Sequence, residues 1–148
     1  MSAAAQSETA RRALEEVCSG RDLASLEAVY HPDFADHVNA LEYRGHDGAR
    51  RSVALYLALF PDLRFVVEDQ VTEGARVASR WSLHGTHRWR EVRLTGIVIS
   101  RFQDGRIVED HAASDTMELV RQLGLWRSAL LAVRHRRLVF DRPAPRPT

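Results

Sequence analysis

The chain has 148 residues, 45% hydrophobic and 28% charged, ordinary values for one folded domain with a core of its own, which excludes global disorder. Its 21 basic residues, every one Arg, stand against 20 acidic ones for a net charge of +1. That balance gives no electrostatic case for nucleic acid as a partner.

Ser2-Ala3-Ala4-Ala5 is too short an apolar run for a signal peptide, and no stretch reaches transmembrane length, so a cytoplasmic protein without a membrane partner is expected. From Ser7 to Ser19, Ala10, Ala13, Leu14 and Val17 recur at helical spacing, with Gly20 as a stop. Cys18, the single cysteine, excludes an intrachain disulfide and reads as a small buried hydrophobe. Asp22 caps a short second helix over Leu23 to Tyr30, which His31-Pro32 ends. Asp33 to Asn39 mixes aromatic and polar residues and reads as irregular. The turn at Arg44 to Gly48 opens a third helix with Val53, Leu55, Tyr56, Leu59 and Phe60 on a broad stripe, stopped at Pro61-Asp62.

From Leu63 the period becomes alternating. Arg64 to Val71 is a first strand, with a tight turn at Glu73-Gly74. In the second strand Val77, Ser79, Trp81, Leu83, Gly85 and His87 share one face, while Arg76, Arg80, His84 and Arg88 crowd the other. A third strand spans about Val92 to Phe102, and Asp104-Gly105 is the best hairpin signal in the chain. The fourth strand sets Ile107, Glu109, His111, Ala113 and Asp115 on one side. A helix over Thr116 to Leu123 follows, stopped by Gly124. A strand face this polar suits a cavity lining, although Asp115 also fits as the helix N-cap and His111 as a surface or satisfied core histidine. Beyond residues 1–124, the segment 125–148 reads as a helix from Leu125 to Val133, the basic cluster Arg134 to Arg137 and a Pro/Arg-rich tail.

Three helices, a run of hairpin strands and a closing helix argue for an α+β fold. A curved, mainly antiparallel sheet of four or more strands with helices across its concave face leaves a pocket between the layers. No HxH, HExxH or two-His-one-carboxylate spacing stands out on these elements, and there is no Gly-rich phosphate loop, so neither a metal nor a nucleotide cofactor is expected.

Several strings carry a resemblance. They are Tyr30-His31-Pro32-Asp33-Phe34, Phe60-Pro61-Asp62-Leu63-Arg64-Phe65, Arg80-Trp81 leading to Gly85-Thr86-His87, Arg101-Phe102-Gln103-Asp104-Gly105, and Asp115 before Gln122-Leu123-Gly124. In this order the chain resembles the SnoaL-like polyketide cyclases, whose conical α+β barrel is shared with nuclear transport factor 2, scytalone dehydratase and ketosteroid isomerase. The resemblance implies a cofactor-free site acting on a polyketide or similar polycyclic compound by aldol-type ring closure, and a homodimer or higher homo-oligomer. It places the family's catalytic carboxylate on Asp115. Two features depart from the family's pattern: the loop after Gly85-Thr86-His87 is short, and His111 stands where Trp is common.

An aldol closure needs a carbon acid deprotonated and an oxyanion protonated or hydrogen-bonded. The expectation is Asp115 as acid and base, raised in pKa by burial, with His111 either donating to a carbonyl oxygen or merely lining the pocket. Asn39 is expected to orient a substrate oxygen, with loop capping the alternative. His37 is expected among the substrate-binding residues and His87 to reach the pocket from the Trp81 face; Trp81, Tyr56 and Phe60 supply apolar wall. Hydrolysis of an epoxide, isomerisation, assistance to hydroxylation, and non-catalytic binding or dimerisation are the alternatives the fold allows.

Overall fold

The computed structural model describes residues 1–39 and 41–124. The helix expected from Leu125 and the tail after it lie outside the described residues.

Helix α1 spans Ala3–Arg12, capped by the Ser2 side chain, which accepts from the Ala5 N–H at 3.2 Å. It runs on into a wider π-helical turn, Ala13–Cys18, that keeps Ala13, Leu14 and Val17 buried. Asp22 then caps a 3-10 turn, Leu23–Ser25, which continues as α2, Leu26–Val29. Strand β1 covers Tyr30–Val38 and β2 covers Leu41–Arg44. Helix α3, Gly45–Leu59, is followed by β3 (Arg64–Glu73), β4 (Arg76–His87), β5 (Arg90–Gln103), β6 (Arg106–Ser114) and α4 (Thr116–Leu123). At the β5–β6 hairpin both Asp104 (φ 50°) and Gly105 (φ 77°) are left-handed, as a two-residue primed turn requires.

The fold is α+β, with one six-stranded sheet in the order β2-β1-β6-β5-β4-β3. Strands β1 and β6 run parallel and the other neighbours antiparallel, and among the described residues the sheet is open, its edges β2 and β3 not pairing with each other. The π-helical turn and α1 pack on β3, α3 packs on β1 and β2, and α4 on β5.

The four expected strands are present, and two more precede them. The segment Asp33 to Asn39, expected to be irregular, is mostly strand β1. Its alternation is hidden because both of its faces are partly polar: Phe34, Asp36 and Val38 turn inward, and His37 turns outward into a charged cluster.

Strand β6 carries a second correction. Ile107 is fully buried, so counting from it at a period of two puts Glu109 and His111 inside. The pairing with β5 slips between Arg101↔Glu109 and Phe102↔Ile107, which leaves Val108 as an extra residue. This bulge inverts the parity beyond it, so Asp110, Ala112 and Ser114 face the helices, and Glu109, His111 and Ala113 face out.

Within the core Val77, Leu83 and Ile107 are wholly buried, each contributing about 1.5–3 kcal/mol of transfer free energy. Two glycines make room for aromatic rings. A Cβ on Gly85 would lie 2.7 Å from Phe60 Cβ, and one on Gly96 would collide with the indole of Trp81, its register partner.

Candidate active site

Between helices and sheet lies a cavity of about 60 Å³. Leu14 and Cys18 of the π-helical turn and Ser52, Val53 and Tyr56 of α3 cover it. Its floor is Tyr30, Asp36 and Val38 of β1, Phe65, Trp81 and Val98 of β3 to β5, and Asp110, Ala112 and Ser114 of β6. The aromatic wall is tightly arranged: Phe65 stands edge-on to Trp81 at 5.1 Å and to Tyr56 at 6.1 Å.

Two carboxylates enter this mainly apolar space from neighbouring strands. Asp36 and Asp110 are register partners in the parallel β1–β6 pair, with backbones about 4.8 Å apart by ordinary sheet spacing. Burial pushes Asp110 up to about 8; the charge of Asp36 adds to this, and a hydrogen bond from Ser100 offsets part of it. Burial likewise pushes Asp36 up to about 7 against a hydrogen bond from Ser52. Beside them the Cys18 thiol and the Tyr30 hydroxyl lie 3.5 Å apart. Burial raises the thiol to about 12 and the phenol well above its ordinary value. Among the described residues, Asp110 Oδ1 and Trp81 Nε1 are buried without a hydrogen-bond partner. An acceptor and a donor left open in an apolar cavity is the polar complement a ligand would satisfy.

A family model described as SnoaL-like polyketide cyclase matches residues 8–123. The chain belongs to the SnoaL-like polyketide cyclase family. No curated protein matches it in sequence. Among solved structures it is similar to wild-type IdmH, a candidate polyketide cyclase from Streptomyces antibioticus, at 29% identity and a TM-score of 0.72 over 80% of this chain and 98% of that one. A loop-truncation variant of IdmH is 31% identical, with a TM-score of 0.73 over 80% and 99% of the two chains. AclR, a candidate hydroxylase from Streptomyces galilaeus, is 22% identical with a TM-score of 0.70 over 84% and 98%, and shares the fold.

In this SnoaL-like chain the expected site residues divide sharply. Trp81 and Tyr56 line the cavity. Phe60 is buried against Gly85 outside the lining, and His87 is spent on the Leu59 carbonyl at 2.9 Å, its ring edge-on to Phe60 at 6.2 Å. Asn39, left-handed at φ 51°, ties the end of β1 to β6: its side chain accepts from Ser114 N–H at 3.1 Å and donates to Ser114 Oγ at 3.0 Å. Asp115 lies one residue past the cavity's last lining residue, exposed, and accepts the Glu118 N–H at 3.0 Å as the N-cap of α4. His111 is half exposed on the outer face of the sheet, stacked on His37, with ring centroids 4.5 Å apart. The bulge at Val108 is the physical reason that neither His111 nor Asp115 faces the cavity.

Asp36, Asp110, Tyr30, Cys18 and Ser52 were not singled out from sequence. Two local signals point to the carboxylates. Phe34 and Val38 lie two residues either side of Asp36, so reading the segment as a strand puts Asp36 on the face of these two apolar residues. The apolar doublet Ile107-Val108 breaks alternation where the bulge sits.

Proposed function

We propose that the chain is a cofactor-independent cyclase that closes a ring in an aromatic polyketide or similar polycyclic substrate by intramolecular aldol condensation. Asp36 and Asp110 would be its proton-handling pair. The observation that carries this reading is the adjacency of two carboxyls, Asp110 buried and Asp36 partly buried, in a cavity that raises both, so that near neutrality the pair holds a proton and a carboxylate side by side. An acid and a base are most effective when their pKa lies near the working pH. Two like groups forced together divide those roles.

In the cycle, ionised Asp36 takes the proton from an activated methylene. The resulting enolate carbon attacks a carbonyl carbon, so the C–C bond forms as the C=O π bond breaks, and the alkoxide oxygen takes the proton of Asp110. Transfer between the neighbouring carboxyls restores the starting state. The buried Trp81 N–H is a donor of the right kind for a substrate oxygen, and Tyr56 and Phe65 supply flat apolar walls. A cavity of about 60 Å³ has room for roughly two water molecules. A polycyclic substrate is larger than this space, so its binding requires the cavity to widen.

The test is turnover and binding with a panel of anthraquinone-type and related substrates, wild type against Asp110→Asn, Asp36→Asn and Asp115→Asn. The reading expects the first two to lose roughly 10²- to 10⁴-fold in turnover with binding retained, and Asp115→Asn to keep it. Full activity in Asp110→Asn and Asp36→Asn would reject the pair. Binding without turnover in every form would make the protein a carrier. The homo-oligomer that the resemblance implies belongs to this proposal and is checked by sedimentation of the full chain.

A further inference from the structure

Behind the two cavity carboxyls, on the outer face of the sheet, a second constellation has no place in the chemistry above. Register sets His37 on β1 level with His111 on β6, and Glu109 shares the outward parity of His111. Both His37 Nε2 (3.3 Å) and His111 Nε2 (3.4 Å) converge on one oxygen, Glu109 Oε1. One ligand atom from each of the three residues lies within 4.8 Å of the others.

We propose that His37, Glu109 and His111 form a binding site for a borderline divalent transition-metal ion of the zinc, copper or nickel class.

Metal–nitrogen bonds of about 2.0–2.1 Å and metal–oxygen bonds of about 2.0–2.2 Å at tetrahedral angles set ligand atoms roughly 3.3–3.5 Å apart. Both N···O edges already have that length, and the two imidazoles, stacked 4.5 Å apart at 13°, tilt from this stack to bring their Nε2 lone pairs onto one ion. Two imidazoles and a carboxylate suit this class of ion, whereas magnesium and calcium take oxygen ligands.

The surrounding groups are those a metal site uses. His37 Nδ1 faces Glu42 Oε2 at 3.5 Å, the carboxylate–histidine arrangement that fixes a ligating ring, and Arg44 anchors Glu42 at 2.6 Å. Arg101 Nε holds Glu109 Oε2 at 2.9 Å, which leaves Oε1 for the ion. Side-chain exposures of 19% for His37, 28% for Glu109 and 54% for His111 give an entry path and an open coordination position for water. The site would tie β1 to β6 at the residues next to Asp36 and Asp110, so an ion bound outside stiffens the strand pair that carries the cavity pair. This inference stands independently of the cyclase reading. The competing occupant is protons on the two imidazoles, making an ion-pair network with Glu109.

The experiment uses the full chain without an affinity tag, stripped with a chelator and titrated with Zn(II) against a chromophoric competitor. One saturable equivalent per chain is expected. H37A/H111A and Glu109→Gln should weaken it at least tenfold, and Glu42→Gln roughly 10- to 100-fold. Thermal unfolding should rise with Zn(II) in wild type and stay flat in H37A/H111A, and Mg(II) should move neither. Substituted Co(II) should give ligand-field bands in wild type alone. If H37A/H111A does not fold, His111→Asn at its half-exposed position makes the same comparison. Absence of binding in wild type, or an equivalent retained unchanged when these histidines are removed, overturns the proposal and leaves the proton-bridged network.

Discussion

Asp36 and Asp110 are register partners in the parallel β1–β6 pair, and both carboxyls turn into the same cavity. Burial alone disfavours either charge, and once Asp36 ionises its charge opposes the ionisation of Asp110. The two therefore titrate as a pair, with one proton shared between them near neutral pH.

This arrangement has a consequence for stability. A carboxyl whose folded pKa lies above its unfolded value of about 3.9 keeps a proton that the unfolded chain has released. Its contribution is fully present below about pH 4 and is lost as pH rises through the folded values of about 7 and 8. The slope approaches about 1.4 kcal/mol per pH unit for each group. Urea unfolding between pH 4 and 9 should show wild type losing stability with rising pH, and Asp110→Asn should flatten the profile by about one proton's worth. An identical slope in the two proteins would contradict the shifted pair.

Asp115→Ala removes the N-cap of α4 and nothing from the cavity. A loss of about 0.5–2 kcal/mol in urea unfolding is expected, with turnover unchanged. Lost turnover in a folded Asp115→Ala protein would restore the role that the family resemblance implies for this residue.

Gly96→Ala sets a methyl group against the Trp81 indole and 2.5 Å from the Ala113 carbonyl oxygen. Overpacking of this kind costs about 1–3 kcal/mol. The near-ultraviolet circular dichroism of the aromatic wall should change with it, and a variant with unchanged spectrum and melting temperature would show that the indole does not press on the strand.

The partly buried Cys18 thiol, raised to about 12 and set against Tyr30, should react much more slowly than a free thiol with alkylating reagents in the native state at pH 8. Labelling should speed up when the chain is unfolded. Immediate stoichiometric modification would place the thiol in solvent.

Much of this architecture was legible in the chain because its signals are local. Asp104-Gly105 marks the β5–β6 turn, Asp22 caps its short helical turn, and alternation from Val77 to Gly85 puts Trp81 on the cavity side. The rest depends on partners far away in sequence. Strand β1 looks irregular until β6 and β2 pair with it, since Asp36 and His37 make both of its faces polar. The parity of β6 turns on the single extra residue Val108, and reading past it sends His111 inward and hides Asp110. The same slip conceals the His37–Glu109–His111 cluster, whose members come from two strands more than 70 residues apart in sequence.

The most direct measurement is a carbon-13 titration of the aspartate carboxyls between pH 3 and 10, with Asp110→Asn and Asp36→Asn supplying the assignments. The account predicts two carboxyls with midpoints near 7 and 8, the upper one falling when Asp36 is replaced. If every aspartate instead titrates below about pH 5, as unperturbed carboxyls do, no proton is held in the cavity at neutral pH and the pair cannot act as proposed.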